Sequence, residues 1–395
     1  MKRTFLRKGM QRVGCILMVL LTCCCVGVAE DVFTGDMIDR ALLSPGNTER
    51  LHRALDKARA GETVSIVYLG GSITEGTGAH PAATRCYAYL SAQGFAEKYM
   101  TSRTQLKYFN SGIGGTPSVM GLARCEQDVL AHRPDIVFVE YAVNDGVDAA
   151  SAMYYESLVR KILNSPTEPA VILLFMLTKE GNSAQEHMQK IGEYYDLGMI
   201  SIRDAIQYQL DAGQMRWLDY SMDTVHPTNK GHAFIAEVIG RYFEVAEAVP
   251  PQSYRVPLLG QYGTAYEGIT NLKHKDEAIQ STGSFPFGES VCYTFETGWR
   301  HLGEKGGARP FVFRINATSM LITYKQEPNE AMGMAEVWVD GQYRTMLNGY
   351  NANAWGNPVI ASVLLGNRGE HTVEIRIPEG DENKNFYIFN IGYVP

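Results

Sequence analysis

From residue 45 to 246 the chain alternates short apolar runs with amphipathic stretches. Five runs read as strands: Val64–Leu69, Leu106–Phe109, Ile136–Tyr141, Val171–Leu177 and Met199–Ile202. They are nearly continuous in apolar residues rather than alternating, as strands covered on both faces must be. Between them the apolar period becomes helical. Leu51, Leu55 and Ala58 share one face of a helix that Asn47-Thr48 can cap and Gly61 can end. Tyr154, Leu158 and Ile162 repeat every four residues. This pattern predicts a three-layer α/β/α sandwich with about five parallel strands.

The helical period stops at Val249-Pro250-Pro251, which reads as the entrance to a linker. Beyond it come Val291–Phe295, Phe311–Ile315, Met320–Tyr324, Ala335–Val339, Val359–Leu365, Thr372–Ile377 and Phe386–Ile391, with Asp340-Gly341 and Gly366-Asn367 as turn signals. Strands at this density predict an all-β sandwich of jelly-roll type. Trp338, in mid-strand, is expected in its core. The division is therefore 1–29 as a leader, 30–248 as the α/β domain and 255–395 as the β domain.

Composition changes the picture at the N-terminus. Lys2, Arg3, Arg7, Lys8 and Arg12 precede an uncharged apolar run, Val13 to Ala29, that is short for a membrane span. It reads as a signal peptide cleaved before Glu30, with lipid attachment at Cys23-Cys24-Cys25 and an uncleaved anchor as alternatives. The expected location is secreted, periplasmic or at the cell surface. Without those five cations the net charge falls from −7 to −12. So acidic a protein has no electrostatic footprint for nucleic acid or anionic lipid, which excludes both as partners, a lipid anchor aside. Of the seven cysteines only Cys86, Cys125 and Cys292 lie outside the leader. They are expected as buried thiols, with a Cys86–Cys125 bridge as the alternative. Neither CxxC nor a paired-His motif occurs, so no metal and no cofactor are expected.

Candidate chemistry gathers where the strands end, as it does in open parallel sheets. The first strand runs into Gly70-Gly71-Ser72-Ile73-Thr74-Glu75-Gly76, where Ser72 serves either as a nucleophile or as a helix N-cap. The second ends in Asn110-Ser111-Gly112-Ile113-Gly114-Gly115-Thr116, either a Gly-rich turn or a source of backbone N–H for an oxyanion. The third ends in Glu140-Tyr141-Ala142-Val143-Asn144-Asp145, where Asn144 either donates to the same oxyanion or closes an Asx turn. Past the last strand stand Asp223-Thr224-Val225-His226-Pro227 and a helix from Asn229 to Val245. His226 is a base only if its second nitrogen donates to a fixed acceptor, and Asp223 is three residues away. His52, His132 and His187 lie in helical or polar contexts and are expected at the surface.

Together these blocks resemble the SGNH hydrolases, also called the GDSL family. The family's GDSxxxG, N-x-x-x-x-G, GxND and DxxHP read here as Gly70-Gly71-Ser72 with Gly76, Asn110 with Gly115, Ala142-Val143-Asn144-Asp145, and Asp223 with His226-Pro227. The resemblance spans roughly residues 64–245. It implies Ser72 as nucleophile, an oxyanion hole from the Ser72 amide, Gly115 and Asn144, and His226 as a base oriented by Asp223. Two positions depart from the family: Gly71 stands for its Asp and Ala142 for its first Gly. GxSxG is absent, against an α/β-hydrolase. The two-part layout is similar to bacterial carbohydrate esterases with a C-terminal carbohydrate-binding-like sandwich. That resemblance implies removal of acetyl groups from poly- or oligosaccharides, with glycan O-acetyl transfer, lipid or short-chain ester hydrolysis, and glycan binding without catalysis as alternatives. Tyr350 and Trp355, in a polar loop, either stack on a sugar ring or plug the end of the sandwich.

Overall fold

The computed structural model describes residues 32–292, 294–303 and 307–395. The leader read at residues 1–29 lies outside them. Six strands build the first sheet: β1 (Leu42–Ser44), β2 (Val64–Gly70), β3 (Leu106–Gly112), β4 (Ile136–Glu140), β5 (Ala170–Phe175) and β6 (Gly198–Ser201). Their order is β1-β6-β5-β4-β2-β3. The five expected strands run parallel, and β1 adds an antiparallel edge against β6. The order in which strands are added reverses at β2, whose sequence neighbour β3 lies on one side while β4 to β6 continue on the other. Groups just past the end of β2 therefore face a crevice open to solvent.

Helices cover both faces. Leu51, Leu55 and Ala58 of the helix Glu49–Arg59 pack with Ile66, Tyr68 and Phe138 on one side. Leu158 and Ile162 of the helix Ala149–Leu163 pack with Val67, Val137 and Leu173 on the other. The alternate residues of β2 thus feed two different cores, which is why the strand reads as one apolar run. Asn47, rather than Thr48, caps the first of these helices: its Oδ1 accepts the Glu49 amide at 3.1 Å, while the Thr48 hydroxyl turns to the Val249 carbonyl.

The second half contains β7 (Thr270–Asn271), β8 (Ile279–Ser281), β9 (Phe287–Cys292), β10 (Phe295–His301), β11 (Phe311–Asn316), β12 (Ser319–Lys325), β13 (Met334–Val339), β14 (Gln342–Asn348), β15 (Pro358–Leu364), β16 (Glu370–Arg376) and β17 (Phe386–Val394). They form two antiparallel sheets, β15-β12-β17-β10-β9 with β7 on β17, and β14-β13-β16-β11-β8. Phe311, Phe313, Ile322, Val337, Ile375 and Ile388 fill the space between them.

Several expectations change. The run Val291–Phe295 is not one strand: β9 ends at Cys292 and β10 begins at Phe295. Trp338 is not core: Ala335, Val337 and Val339 take the inner face of β13, and the period of two sends Trp338 outward. There Arg376 lies over its ring, and its indole N–H donates to Glu336 at 2.7 Å. His187 is buried, and His52 and His132 are half-buried. Cys86, Cys125 and Cys292 are free, buried thiols, and no bridge joins Cys86 to Cys125.

The stretch after Val249 is no loose tether. Tyr254, Val256, Tyr262, Tyr266 and Ile269 pack into the core beneath the helix Ala149–Leu163. Glu156 of that helix, fully buried, accepts the amides of Gln261, Tyr262 and Gly263 at 2.6 to 2.9 Å. β12 continues the contact. Met320 and Ile322 point into the sandwich, Leu321 joins the core shared with β2 and β4, and every residue of the strand is buried. Asn271 and Asn390 both donate to the Ala123 carbonyl, at 3.0 and 3.1 Å, fastening the sandwich to the helix Ser118–Asp128.

Candidate active site

Ser72 opens a one-turn helix, Ser72–Glu75, whose N-cap is Gly71. Its hydroxyl is therefore not needed as a cap. Instead Ser72 Oγ lies 2.8 Å from His226 Nε2, and His226 Nδ1 lies 2.7 Å from Asp223 Oδ2. Three side chains that are 154 and three residues apart in sequence thus form one hydrogen-bonded row.

The loop carrying Asp223 and His226 is closed on itself. Ser221 pairs with Pro227 in an isolated bridge, and the Ser221 hydroxyl donates to the His226 carbonyl at 2.6 Å. The Trp217 indole donates to the Asp223 carbonyl. Thr228 then caps the helix Asn229–Glu247, its hydroxyl accepting the Gly231 amide at 3.2 Å. Asp223 Oδ1 accepts the amides of Val225 and His226 at 2.7 and 2.6 Å, which leaves Oδ2 for the imidazole. Slight burial works to raise this carboxyl, but those two amides and the imidazole hold it below its usual range. Asp223 is thus ionised at neutral pH and fixes Nδ1 as the donor, with Nε2 free to accept from Ser72.

The remaining blocks converge on the same turn. The Ile113 amide donates to the Gly70 carbonyl at 3.0 Å, and a Cβ on Gly112 would strike the backbone of Thr74 and Glu75. The loop leading to Gly115 therefore lies flat against the nucleophile turn. Gly115 has φ +68°, a conformation other residues rarely hold. Asn110, from the same block, ties loop to turn: Nδ2 donates to the Thr74 carbonyl at 2.7 Å and Oδ1 accepts the Gly112 amide at 3.0 Å. Asn144 comes from the other side of the turn. Its Oδ1 is buried without a partner and occupies the space a Cβ on Gly71 would need. As Asn144 stands, no side chain fits at position 71.

Reasoning from sequence missed the groups underneath. Asp145 Oδ1 accepts the Ser118 amide at 2.6 Å and so supplies a cap to the helix Ser118–Asp128, whose N-cap, Pro117, has no side-chain acceptor. Arg124, buried, donates to the Ser111 carbonyl at 2.6 Å and the Gly70 carbonyl at 3.4 Å, tying the ends of β3 and β2. Glu140 ends β4 with a charge after four apolar residues, a signal that was legible in the sequence. His232, also buried, accepts the Tyr87 amide at 3.2 Å and faces the Thr77 carbonyl at 3.1 Å. Burial pulls its imidazole down to about 4, so it is neutral and structural.

A residue of the β-rich half lies close by as well. Trp355 lies against Gly115, its indole 3.4 Å from where a Cβ would be, and remains 55% exposed. It therefore does not plug the sandwich. Tyr350 is exposed on the same loop and pairs through its backbone with Glu327. Among the described residues no cluster of three His, Cys, Asp or Glu is placed to hold a metal, and no helix is long and apolar enough to cross a membrane.

Residues 68–234 match the model of the GDSL-like Lipase/Acylhydrolase family. No curated protein matches the sequence. Among solved structures, a two-domain esterase (CEX) active on acetylated mannans, co-crystallised with mannopentaose, aligns with a TM-score of 0.79 at 29% identity, over 90% of this chain and 97% of that one. A second structure of a two-domain esterase (CEX) active on acetylated mannans gives 0.79 at 28%, over 90% and 98%. A catalytic mutant of Axe2, an acetylxylan esterase from Geobacillus stearothermophilus, gives 0.38 at 21%, over 47% and 96%.

Proposed function

We propose, from the match of residues 68–234 to the GDSL-like lipase/acylhydrolase model, that the chain is a serine esterase that removes short acyl groups, acetyl above all, from poly- or oligosaccharides. The observation that carries this reading is the row Ser72–His226–Asp223, with contacts of 2.8 and 2.7 Å. His226 takes the Ser72 proton as Oγ attacks the ester carbonyl, and the negative oxygen is met by the amides of Ser72 and Gly115 and by Asn144 Nδ2. The sugar hydroxyl leaves with the proton from His226. Water, activated by the same imidazole, then releases the acid and restores Ser72. Because the base must be neutral, kcat/KM falls on acidification. No step calls for a metal or cofactor.

The substrate class rests on two supports. The chain is similar over both halves to an esterase active on acetylated mannans. And Trp355 stands exposed beside Gly115, where a pyranose carrying the scissile ester can stack on it, with Tyr350 further along the same loop. Export through residues 1–29 fits a polymer substrate outside the cell, and the proposal divides the remainder at 30–248 and 255–395. Acetate release from acetylated mannan or xylan, measured beside long-chain p-nitrophenyl esters, tests it. Preference for the glycans is expected; preference for the long chains overturns the substrate class.

Trp355 offers a sharper check. Losing one stacking face of about 1.4 kcal/mol weakens binding about tenfold. Trp355→Ala should therefore raise KM for an acetylated oligosaccharide about tenfold, while leaving turnover of p-nitrophenyl acetate, which has no sugar to stack, near the parent value. Equal KM on the glycan would remove Trp355 from the binding surface.

A further inference from the structure

Glu140 is the last residue of β4 and is fully buried directly under the turn that bears Ser72. Its Oε2 accepts the Thr74 hydroxyl at 2.9 Å, and the amides of Gly71 and Thr74 point at the same carboxyl. A hydroxyl has one proton to give, so Thr74, donating to Glu140, must accept from Tyr87, whose hydroxyl lies 2.7 Å away. The other oxygen, Oε1, is buried without a partner. A carboxyl removed from water and only half satisfied opposes folding. What it gives in return is sought in the one thing it holds: Gly71 and Thr74 flank the nucleophile on either side.

We propose that Glu140 is the positioning residue of the nucleophile turn, its carboxylate holding Ser72 Oγ in line with His226 through Thr74 and the two amides. This rests on the reading of Ser72 and His226 given above. The groups that face Glu140 are Tyr87 from the helix Tyr87–Tyr99, Tyr155 from Ala149–Leu163, Tyr220 from Trp217–Tyr220, and Tyr141 and Asp145 beyond its own strand. Arg124 reaches the Tyr141 hydroxyl at 3.3 Å. Burial pushes the Glu140 carboxyl up to about 7 against the pull of the Thr74 hydroxyl and the two amides, and Asp145 adds a smaller push. Protonation of Glu140 as pH falls through this range weakens the hold on the turn. It adds a partial loss to the acid limb of kcat/KM, beyond the loss that follows from protonating the base.

Glu140→Gln keeps the size and one acceptor and removes the ionisation. Labelling of Ser72 by an activated organophosphonate and kcat should both fall about 10- to 100-fold, KM should hold within about twofold, and the acid limb should lose the part that Glu140 adds. Stability moves the other way. A carboxyl raised by folding contributes most when protonated, so wild type loses stability relative to Glu140→Gln as pH rises from about 4.5 to about 7. Labelling at the wild-type rate with an unchanged limb overturns the proposal and leaves the triad standing. A wild type that is not labelled at Ser72 overturns both. Should Glu140→Gln fail to fold, Thr74→Val, which removes only the hydroxyl, carries the same comparison and is expected to slow labelling to a similar degree; a wild-type rate there sinks the proposal.

Discussion

Replacing Ser72 with alanine should lower kcat for acetate release by about 10⁴-fold or more while KM stays within a few-fold. The size of the effect follows from what is lost and what is kept. The hydroxyl is the only atom removed, and it is the one 2.8 Å from His226. The cap of the one-turn helix is Gly71, so the turn itself has no need of the serine side chain. The Gly115 loop, Asn144 and the Trp355 face remain, and they account for residual turnover above the rate in water. Acetate release by the purified variant, with its circular dichroism matched to wild type, measures this. Full activity in Ser72→Ala would remove the serine from the mechanism, and with it the esterase reading.

Asn144→Ala should lower kcat about 10²- to 10³-fold with KM little changed, because in the proposed mechanism its amide donates to a charge that exists only on the way through the reaction. Stability should not fall with it. Asn144 Oδ1 is buried without a partner, and removing an unsatisfied acceptor returns about 1 kcal/mol. A thermal midpoint equal to or above the parent, beside a large loss in kcat, is the expected signature of a residue kept for chemistry. A drop in both would make Asn144 a structural Asx residue, the other reading its sequence allowed.

Both positions could be proposed from the sequence because parallel strands buried on two faces leave little doubt about where they end, and open parallel sheets gather reactive groups at those ends. β2, β4 and β5 are buried from end to end. The edge strand β1 is three residues long and half-buried, too short to leave a period, so it was not read. The β-rich half was less transparent. In β13 the side chains alternate, and only register tells Trp338 from Val337. At Val291–Phe295 one run in the sequence covers the end of β9 and the start of β10. The packing of Tyr254, Tyr262 and Tyr266 on the helix Ala149–Leu163 was hidden because Pro250-Pro251 signals a break in secondary structure, not a break in contact. The approach of Trp355 to Gly115 joins positions 240 residues apart by number, and no local pattern encodes it. Glu140 was available as a charge ending an apolar strand, but only the structure says what it touches.

A strand with no solvent-facing side leaves nowhere to pull the protein apart. β12 is buried on both faces, one in each hydrophobic core, so severing the halves would wet Leu321 and the helix Ser118–Asp128 together. Apolar surface uncovered at that seam is paid for at roughly 25 cal/mol for every Å². Melting should accordingly be a single cooperative event, and the α/β half on its own should be greasy and aggregation-prone. The loop bearing Trp355 then reaches its place beside Gly115 as a by-product of folding, with no later docking step.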